Sequence, residues 1–263
     1  MSDKPKPKKP LRTLSVTAKT WITPHMIRVT LGDAWVKTLP SGIEGAHCKV
    51  FLPKPGQDKE GFLAQLADGP RPDVRTYTIR HIRPELGEMD IDFVDHGDVG
   101  PASAWARRCQ PGDICGFGGP GPVKLSSYFA DTYLVAADMS ALPVAAATLE
   151  AMPKDAKGVA LLEITAPEDR QNLDAPEGID IRWLVHPDPK VPPTQSVDAI
   201  AAMPAFTGQV QTCIAGEISM VKALRQEILI QRGIPRENAY ISGYWKIGLV
   251  EDEHQKVKRQ ETG

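Results

Sequence analysis

Two kinds of hydrophobic patterning divide the chain near residue 128. Up to that point, short β-prone runs alternate with turn residues, and 14–20, 26–31, 48–52, 74–80, 89–94 and 114–117 read as six strands. One helix is expected over 101–109, because Pro101 suits a first helical position and Ala102, Trp105, Ala106 and Cys109 recur at i, i+3, i+4 and i+7. Six short strands with a single helix imply an antiparallel six-stranded β-barrel. Residues 57–72 hold charges, glycines and a lone Phe62 without a sustained period, so they are read as a mobile excursion.

Beyond residue 128 the runs lengthen and strands alternate with helices. Residues 133–138 form a near-continuous apolar strand, and 140–152 have the small-residue composition of a helix packed on a sheet. Further strands are expected at 159–165, 179–186, 209–215 and 240–244. A helix over 219–231 is closed by Gly233 and followed by Pro235. This order predicts a parallel α/β domain of nucleotide-binding type, although no Gly-x-Gly-x-x-Gly follows its first strand. The expected organisation is a disordered basic tail (1–12), a barrel domain (13–127), a parallel α/β domain (128–248) and a charged tail or helix (249–263).

Composition narrows the function. A chain of 263 residues, 41% hydrophobic and 24% charged, has material for two soluble cores. Its net charge of −2 argues against nucleic acid as a partner. The lysines and prolines of the first ten residues surround no apolar stretch, so they read as a solvated tail and not a secretory signal. No apolar run reaches the length of a membrane span, so no stable membrane insertion is expected. Cys48, Cys109, Cys115 and Cys213 form no metal-binding spacing, and reduced buried thiols in a cytoplasmic protein are the simpler expectation. His25, His47, His81, His96, His186 and His254 have no evident nucleophile partner, which disfavours hydrolase chemistry; His81, beside Arg80 and Arg83, suits a satisfied surface residue better than a basic rim.

The chemistry concentrates in Arg75-Thr76-Tyr77-Thr78-Ile79-Arg80. As a strand, it places Arg75, Tyr77 and Ile79 on one face and Thr76, Thr78 and Arg80 on the other. Arginine can fork onto a phosphate, tyrosine can lie on a planar ring, and threonine can bond a ring nitrogen, so the run suits a flavin nucleotide. It also suits an ordinary barrel strand with a snorkelling arginine, and the decision falls to a second stretch. There, Gly100-Pro101 feeds the helix, and the first amides, at Ala102, Ser103 and Ala104, are free to face an anion such as a pyrophosphate. The glycines of Gly116-Phe117-Gly118-Gly119-Pro120-Gly121-Pro122 permit close backbone approach to a ligand.

Four ordered motifs resemble the siderophore-interacting protein family, a branch of the FAD-dependent ferredoxin-reductase superfamily. They are Arg75-Thr76-Tyr77-Thr78, His96-Gly97-Asp98-Val99-Gly100-Pro101-Ala102-Ser103, Gly118-Gly119-Pro120-Gly121-Pro122 and Ser242-Gly243-Tyr244-Trp245-Lys246. The resemblance spans residues 16–248. Lys246 stands where many relatives have arginine, and Val99 where a second glycine is common; neither removes a required charge or donor.

The resemblance implies a FAD-binding barrel in which Arg75 holds FAD phosphate, Tyr77 packs on the flavin and Thr78 approaches its reactive nitrogen, making Tyr77 and Thr78 the catalytic pair. Thr76, Asp92, Val94, His96, Gly100, Pro101, Ala102, Ser103 and Trp245 complete the implied cofactor set, with His96 on the adenine side and Trp245 as a lid or a carboxyl-terminal anchor. It implies a nicotinamide crevice at Asp138, Ser140, Gly216 and Glu217. A cationic mouth of Lys49, Lys124 and Lys246 is implied for the substrate, a ferric siderophore. The implied activity is reduction of chelated Fe(III) by outer-sphere electron transfer, with no resident metal. NADH, NADPH or a ferredoxin is the donor: Glu168 and Asp169 suit the ribose of NADH, whereas Arg170 suits the phosphate of NADPH. A monomer is expected. A general NAD(P)H:flavin or quinone reductase and a non-catalytic siderophore-binding protein are the alternatives.

Overall fold

A computed structural model of the protein describes residues 11–98 and 100–249. The expected tails, apart from residues 11, 12 and 249, together with Val99 and His254, lie outside them. The chain divides into two units, one holding residues 11–20 and Ile27–Pro122, the other Trp21–Met26 and residues from Val123 onward.

The first unit is a closed barrel of β1 (Arg12–Thr23), β2 (Met26–Gly32), β3 (His47–Leu52), β4 (Asp73–Arg83), β5 (Glu88–Val94) and β6 (Ile114–Gly118), ordered β1-β2-β5-β4-β3-β6. Strand β6 pairs with both β1 and β3, so closure leaves no open edge. Leu14, Val29, Leu31, Val50, Ile79, Ile91, Phe93 and Phe117 are buried at its centre. Alternation along β4 fails at one place. The β4–β5 register passes from Ile79–Ile91 to His81–Asp90, which leaves Arg80 as the extra residue of a bulge. Arg80 therefore does not continue the face of Thr76 and Thr78, and Thr78, Ile79 and Arg80 are buried in succession.

Two carboxylates on β5 bind this part of the barrel together. Asp92 takes a fork from Arg28 of β2 at 2.7 and 2.8 Å. Asp90 takes a fork from Arg83 of β4 at 2.8 and 2.7 Å, with Thr30 Oγ1 at 2.8 Å and His81 Nδ1 at 3.0 Å. Thus His81 is a satisfied structural residue. Burial alone would push the Asp90 carboxyl up, but the bonds from Arg83, His81 and Thr30 together outweigh it and hold the group well below the usual range.

Residues 57–72 correct the expectation of an irregular excursion. They contain α1 (Lys59–Asp68), capped by Asp58, whose carboxylate accepts from the Gly61 amide at 2.8 Å. Phe62 is fully buried against Phe51 and Ile114, flanked by Leu66 and Val74. An apolar face of two residues, Phe62 and Leu66, is too short to print a period. The second helix of this unit, α2 (Pro101–Arg108), lies where the pattern predicts it.

The second unit is a parallel sheet of β7 (Thr132–Ala137), β8 (Lys157–Ile164), β9 (Gly178–Val185), β10 (Val210–Glu217) and β11 (Ala239–Trp245), ordered β11-β10-β7-β8-β9. Helices α3 (Leu142–Ala151), α4 (Gln195–Ala201) and α5 (Ile218–Arg225) connect the strands, α5 continuing in wider turns through Gln226–Gln231. Helix α4 was not anticipated, because only Ser196 and Ile200 of it are buried. The strand order runs outward from β7 in both directions, so the carboxyl ends of β7 and β10 flank the topological switch point.

Two measurements test this account of the barrel. Phe62→Ala should lower stability by about 3–4 kcal/mol in a denaturant titration, while Leu63→Ala, on the exposed side of α1, should change it by less than about 0.5 kcal/mol. Asp90→Asn should cost about 2–3 kcal/mol at neutral pH. Because the folded carboxyl is depressed below its ordinary 3.8, its contribution is full above that value and is lost as the pH falls through the folded pKa. The variant should therefore lose stability less steeply than the parent between about pH 4 and about pH 2, and parallel curves would contradict the assignment.

Candidate functional site

In the first unit, β4 and the start of α2 carry the expected groups. Tyr77 is half-buried, its ring centroid 4.3 Å from that of Phe93, and Phe93 lies 5.6 Å from Trp105. Trp105 is thus packing. Thr78 is 5% exposed, so its position is rigid. Half-buried Arg75 donates to the Val74 carbonyl at 2.9 Å, and Thr76 accepts from the Lys49 ammonium across the β3–β4 ladder.

Helix α2 begins at Gly100 without a side-chain cap, and Pro101 follows in the first turn. The amides of Ala102 and Ser103 consequently face out of the helix with its positive dipole end behind them. The loop over this start is built by Ser103. Its hydroxyl accepts from the His96 amide at 3.2 Å and stands 2.7 Å from the Gly97 carbonyl and 3.0 Å from Asp95 Oδ1. Asp95 is held in turn by Arg107 at 2.8 Å. A Cβ at Gly100 would come within 2.7 Å of the His96 ring, so the ring lies close over the helix start. The Ser103 hydroxyl is thus engaged within the loop, and the Asp92 carboxylate is engaged by Arg28. Val94 ends β5 half-buried. An arginine, an aromatic ring, a buried hydroxyl and an uncapped helix start within one barrel fit a flavin nucleotide in their donor chemistry.

In the second unit, Asp138, Ser140, Gly216 and Glu217 meet at the carboxyl ends of β7 and β10, as expected from their positions. Their polar atoms bond one another. Asp138 Oδ1 accepts from the Ser140 amide at 2.9 Å, the Ser140 hydroxyl at 2.6 Å and the Ala141 amide at 3.2 Å. Its Oδ2 accepts from the Glu217 amide and from Trp245 Nε1, both at 2.7 Å. Burial pushes this carboxyl above its ordinary value, against the pull of those donors. Glu217 is the cap of α5, accepting from the amides of Ser219 and Met220, and its other oxygen takes the Ile247 amide at 3.2 Å. Trp245 is therefore an anchor within this unit. The positions 79 and 107 residues from Asp138 that supply its donors left no periodic trace in the sequence.

Asp169 corrects the ribose assignment. It is fully buried and accepts from Thr23 Oγ1 at 2.8 Å, from the His25 amide and ring at 3.0 and 2.8 Å, and from the Ala166 amide at 3.0 Å. Burial would raise this carboxyl, but these bonds prevail and lower it. Lys124 is half-buried with its ammonium 5.8 Å from the centre of the Tyr240 ring, and burial lowers its pKa. Lys246 is exposed. All four cysteines are buried, and burial pushes the Cys48 thiol up to about 12. Among the described residues, no cluster of three or more His, Cys, Asp or Glu side chains is placed to hold a metal, and no helix is long and apolar enough to cross a membrane.

Residues 15–124 match the family model described as a siderophore-interacting FAD-binding domain, and residues 130–248 match that of siderophore-interacting protein. The ferric vibriobactin reductase ViuB of Vibrio cholerae is 33% identical over 94% of this chain and 93% of its own length. The chain belongs to the siderophore-interacting protein family. Another relative, the NADPH-dependent ferric-chelate reductase of Escherichia coli, is 30% identical over 89% of this chain and 92% of its own. The siderophore-interacting protein SipS of Aeromonas hydrophila superposes with a TM-score of 0.83 at 34% identity, covering 96% of this chain and 98% of SipS. The barrel and parallel sheet are thus those of the family.

Ser103→Ala should loosen the loop over α2 and weaken FAD retention by about tenfold, or about 1.4 kcal/mol, with little change in melting temperature of the flavin-free protein. Recovery of flavin fluorescence on dilution reports the release, and unchanged retention would remove Ser103 from the cofactor machinery.

Proposed function

We propose that the protein is a FAD-dependent reductase of ferric siderophores, releasing iron as Fe(II). The observation that carries this reading is the pairing, within the barrel, of the Arg75-Tyr77-Thr78 strand with a helix start that no side chain caps. The named activities of ViuB and of the Escherichia coli reductase support it.

FAD, when bound, supplies the chemistry of accepting an electron pair and releasing electrons singly. Arg75 and the amides of Ala102 and Ser103 would hold its phosphates, His96 would serve its adenine half, and Tyr77, fixed against Phe93, would give a flat apolar face to its ring system. Buried Thr78 presents a hydroxyl without needing to reorganise, which lowers the cost of changing charge beside it. The iron is substrate. Siderophores hold Fe(III) with hard oxygen donors and release the softer Fe(II), so the protein has to position the chelate and need not ligate the metal. Lys49 on the barrel, and Lys124 and Lys246 on the second unit, supply positive charge that recruits an anionic chelate.

An anaerobic cuvette experiment tests the whole reading. The purified protein should show a flavin spectrum, be bleached by NADH, NADPH or a reduced ferredoxin, and recover its colour as a ferric siderophore yields trapped Fe(II). A colourless protein that still binds the chelate would make it a carrier, and reduced protein that leaves the chelate untouched would make it a reductase of other acceptors. Replacing Lys49, Lys124 and Lys246 together by glutamine should lower kcat/KM for the chelate more at low salt than at high salt. Equal losses at both would refute electrostatic recruitment.

A further inference from the structure

Lys246, one of the three cations proposed to recruit the chelate, lies on the turn that leaves β11, a place where backbone is ordinarily loose. Here it is held from both sides. On the strand side, the indole of half-buried Trp245 donates through Nε1 to Asp138 Oδ2 at 2.7 Å. On the far side, the Ile247 amide donates to Glu217 Oε1 at 3.2 Å. The Lys246 carbonyl accepts from the Leu249 amide at 3.1 Å, and Gly248, at a φ of 79°, closes the turn. The two acids are linked in turn, because the Glu217 amide donates to the same Asp138 oxygen at 2.7 Å.

The strand is bent to make these bonds. The β10–β11 register passes from Gly216–Gly243 to Glu217–Trp245, which leaves Tyr244 as the extra residue of a bulge. A bulge re-aims the side chains beyond it. Beside it, Gly216 has a φ of 145°, and a Cβ there would come within 2.7 Å of the Asp138 carboxylate, so the acid lies close against this backbone. Asp138 is 8% exposed and Glu217 1%, whereas the side chain of Lys246 is exposed. Two buried acids therefore fix the backbone on either side of a lysine that stays open to solvent. A cation on backbone ordered beforehand loses less freedom on binding an anion than one on a mobile turn.

We propose that Asp138 is a positioning residue for Lys246, acting through Trp245 on one side and through Glu217 and Ile247 on the other. The proposal rests on the reading of Lys246 as part of the chelate-recruiting set. Asp138 sets where the Lys246 ammonium can reach without touching the chelate itself. Its bonds from the Ser140 and Ala141 amides keep the carboxylate from turning.

The test is a double-mutant cycle on the full chain loaded with FAD, with an anionic ferric tris-catecholate as the probe. Calorimetry on the oxidised protein gives Kd, and stopped-flow reoxidation of protein reduced with stoichiometric dithionite gives the limiting rate. Asp138→Asn sets an N–H group against some of the donors that now converge on the carboxylate. It should weaken chelate binding about fivefold and change the limiting rate by less than about twofold. In a Lys246→Gln background the same substitution should change Kd by less than about 1.5-fold, and in a Lys49→Gln background it should again weaken binding about fivefold. Amide exchange at Ile247 and Leu249 should quicken about tenfold. Trp245→Phe, which removes the indole N–H and keeps an aromatic ring, should give the same pattern and serves if the asparagine variant does not fold. A loss as large without Lys246 as with it would overturn the proposal, as would unchanged exchange or a parent chain that binds no chelate. Binding without reoxidation would fail the reductase reading alone, and the Kd cycle would still decide the role of Asp138.

Discussion

A carboxylate taken out of water must be surrounded by donors, and both units of this protein are arranged around that requirement. In the barrel, Asp90 and Asp92 lie on β5, and each takes its guanidinium fork from a different neighbour, Arg83 on β4 and Arg28 on β2. Three adjacent strands are thereby fixed in register by charge as well as by the backbone ladder. In the parallel sheet, Asp138 collects donors from the turn after β7, from the end of β10 and from the end of β11. Removing any one of these donors would leave part of a buried charge unsatisfied, so the geometry around each carboxylate is strongly determined.

The same electrostatics has opposite consequences at different helix starts. Helix α5 opens on amides that Glu217 already satisfies, and Asp138 takes two amides of the turn before α3. Helix α2 opens on a glycine and a proline, no side chain caps it, and Asp95 pairs with Arg107. An anion brought from solution gains free amides at α2 and meets competition at α5. What a helix start offers an anion thus rests on where the sequence places an acid relative to it. Fold alone does not decide it, since a parallel sheet with a switch point has the same shape whether its turns carry glycines or an aspartate.

That distinction also explains which features the sequence disclosed. The six barrel strands were legible because period-two runs stood between glycines and prolines, and the parallel sheet because its central strands β7, β8 and β10 were apolar on both faces. Helix α1 was hidden, for its stability comes from a single Phe62 side chain and the Asp58 cap, neither of which makes a pattern. The bulge at Arg80 was hidden for a related reason: a register slip depends on the partner strand, and Ile91 and Asp90 sit far along the chain. Of the candidate site, the residues proposed to face the flavin were legible by type and by motif, but their bonds within the protein were not. The bond of Asp92 to Arg28 joins segments 64 residues apart, and that of the Ser103 hydroxyl to the Gly97 carbonyl depends on how the loop turns, so neither leaves a pattern. One local signal was present throughout. Asp138, an aspartate following an apolar strand, is the kind of residue that binds the amides of its own turn.

Electron transfer to a chelated metal makes unusual demands on a protein, and they account for the character of the proposed site. No proton has to be moved to or from a bond being broken, so nothing in the chemistry calls for a titrating triad. What matters is that the surroundings change little when charge passes, since each reorienting dipole adds to the barrier. Thr78 in a buried strand position, Tyr77 braced by Phe93, and amides held rigid in a helix turn all meet that condition. The residues best suited to the task are therefore those whose neighbours leave them no freedom, and rigidity of that kind is set by packing between distant segments. Backbone amides, which carry no side-chain signature, do much of the binding.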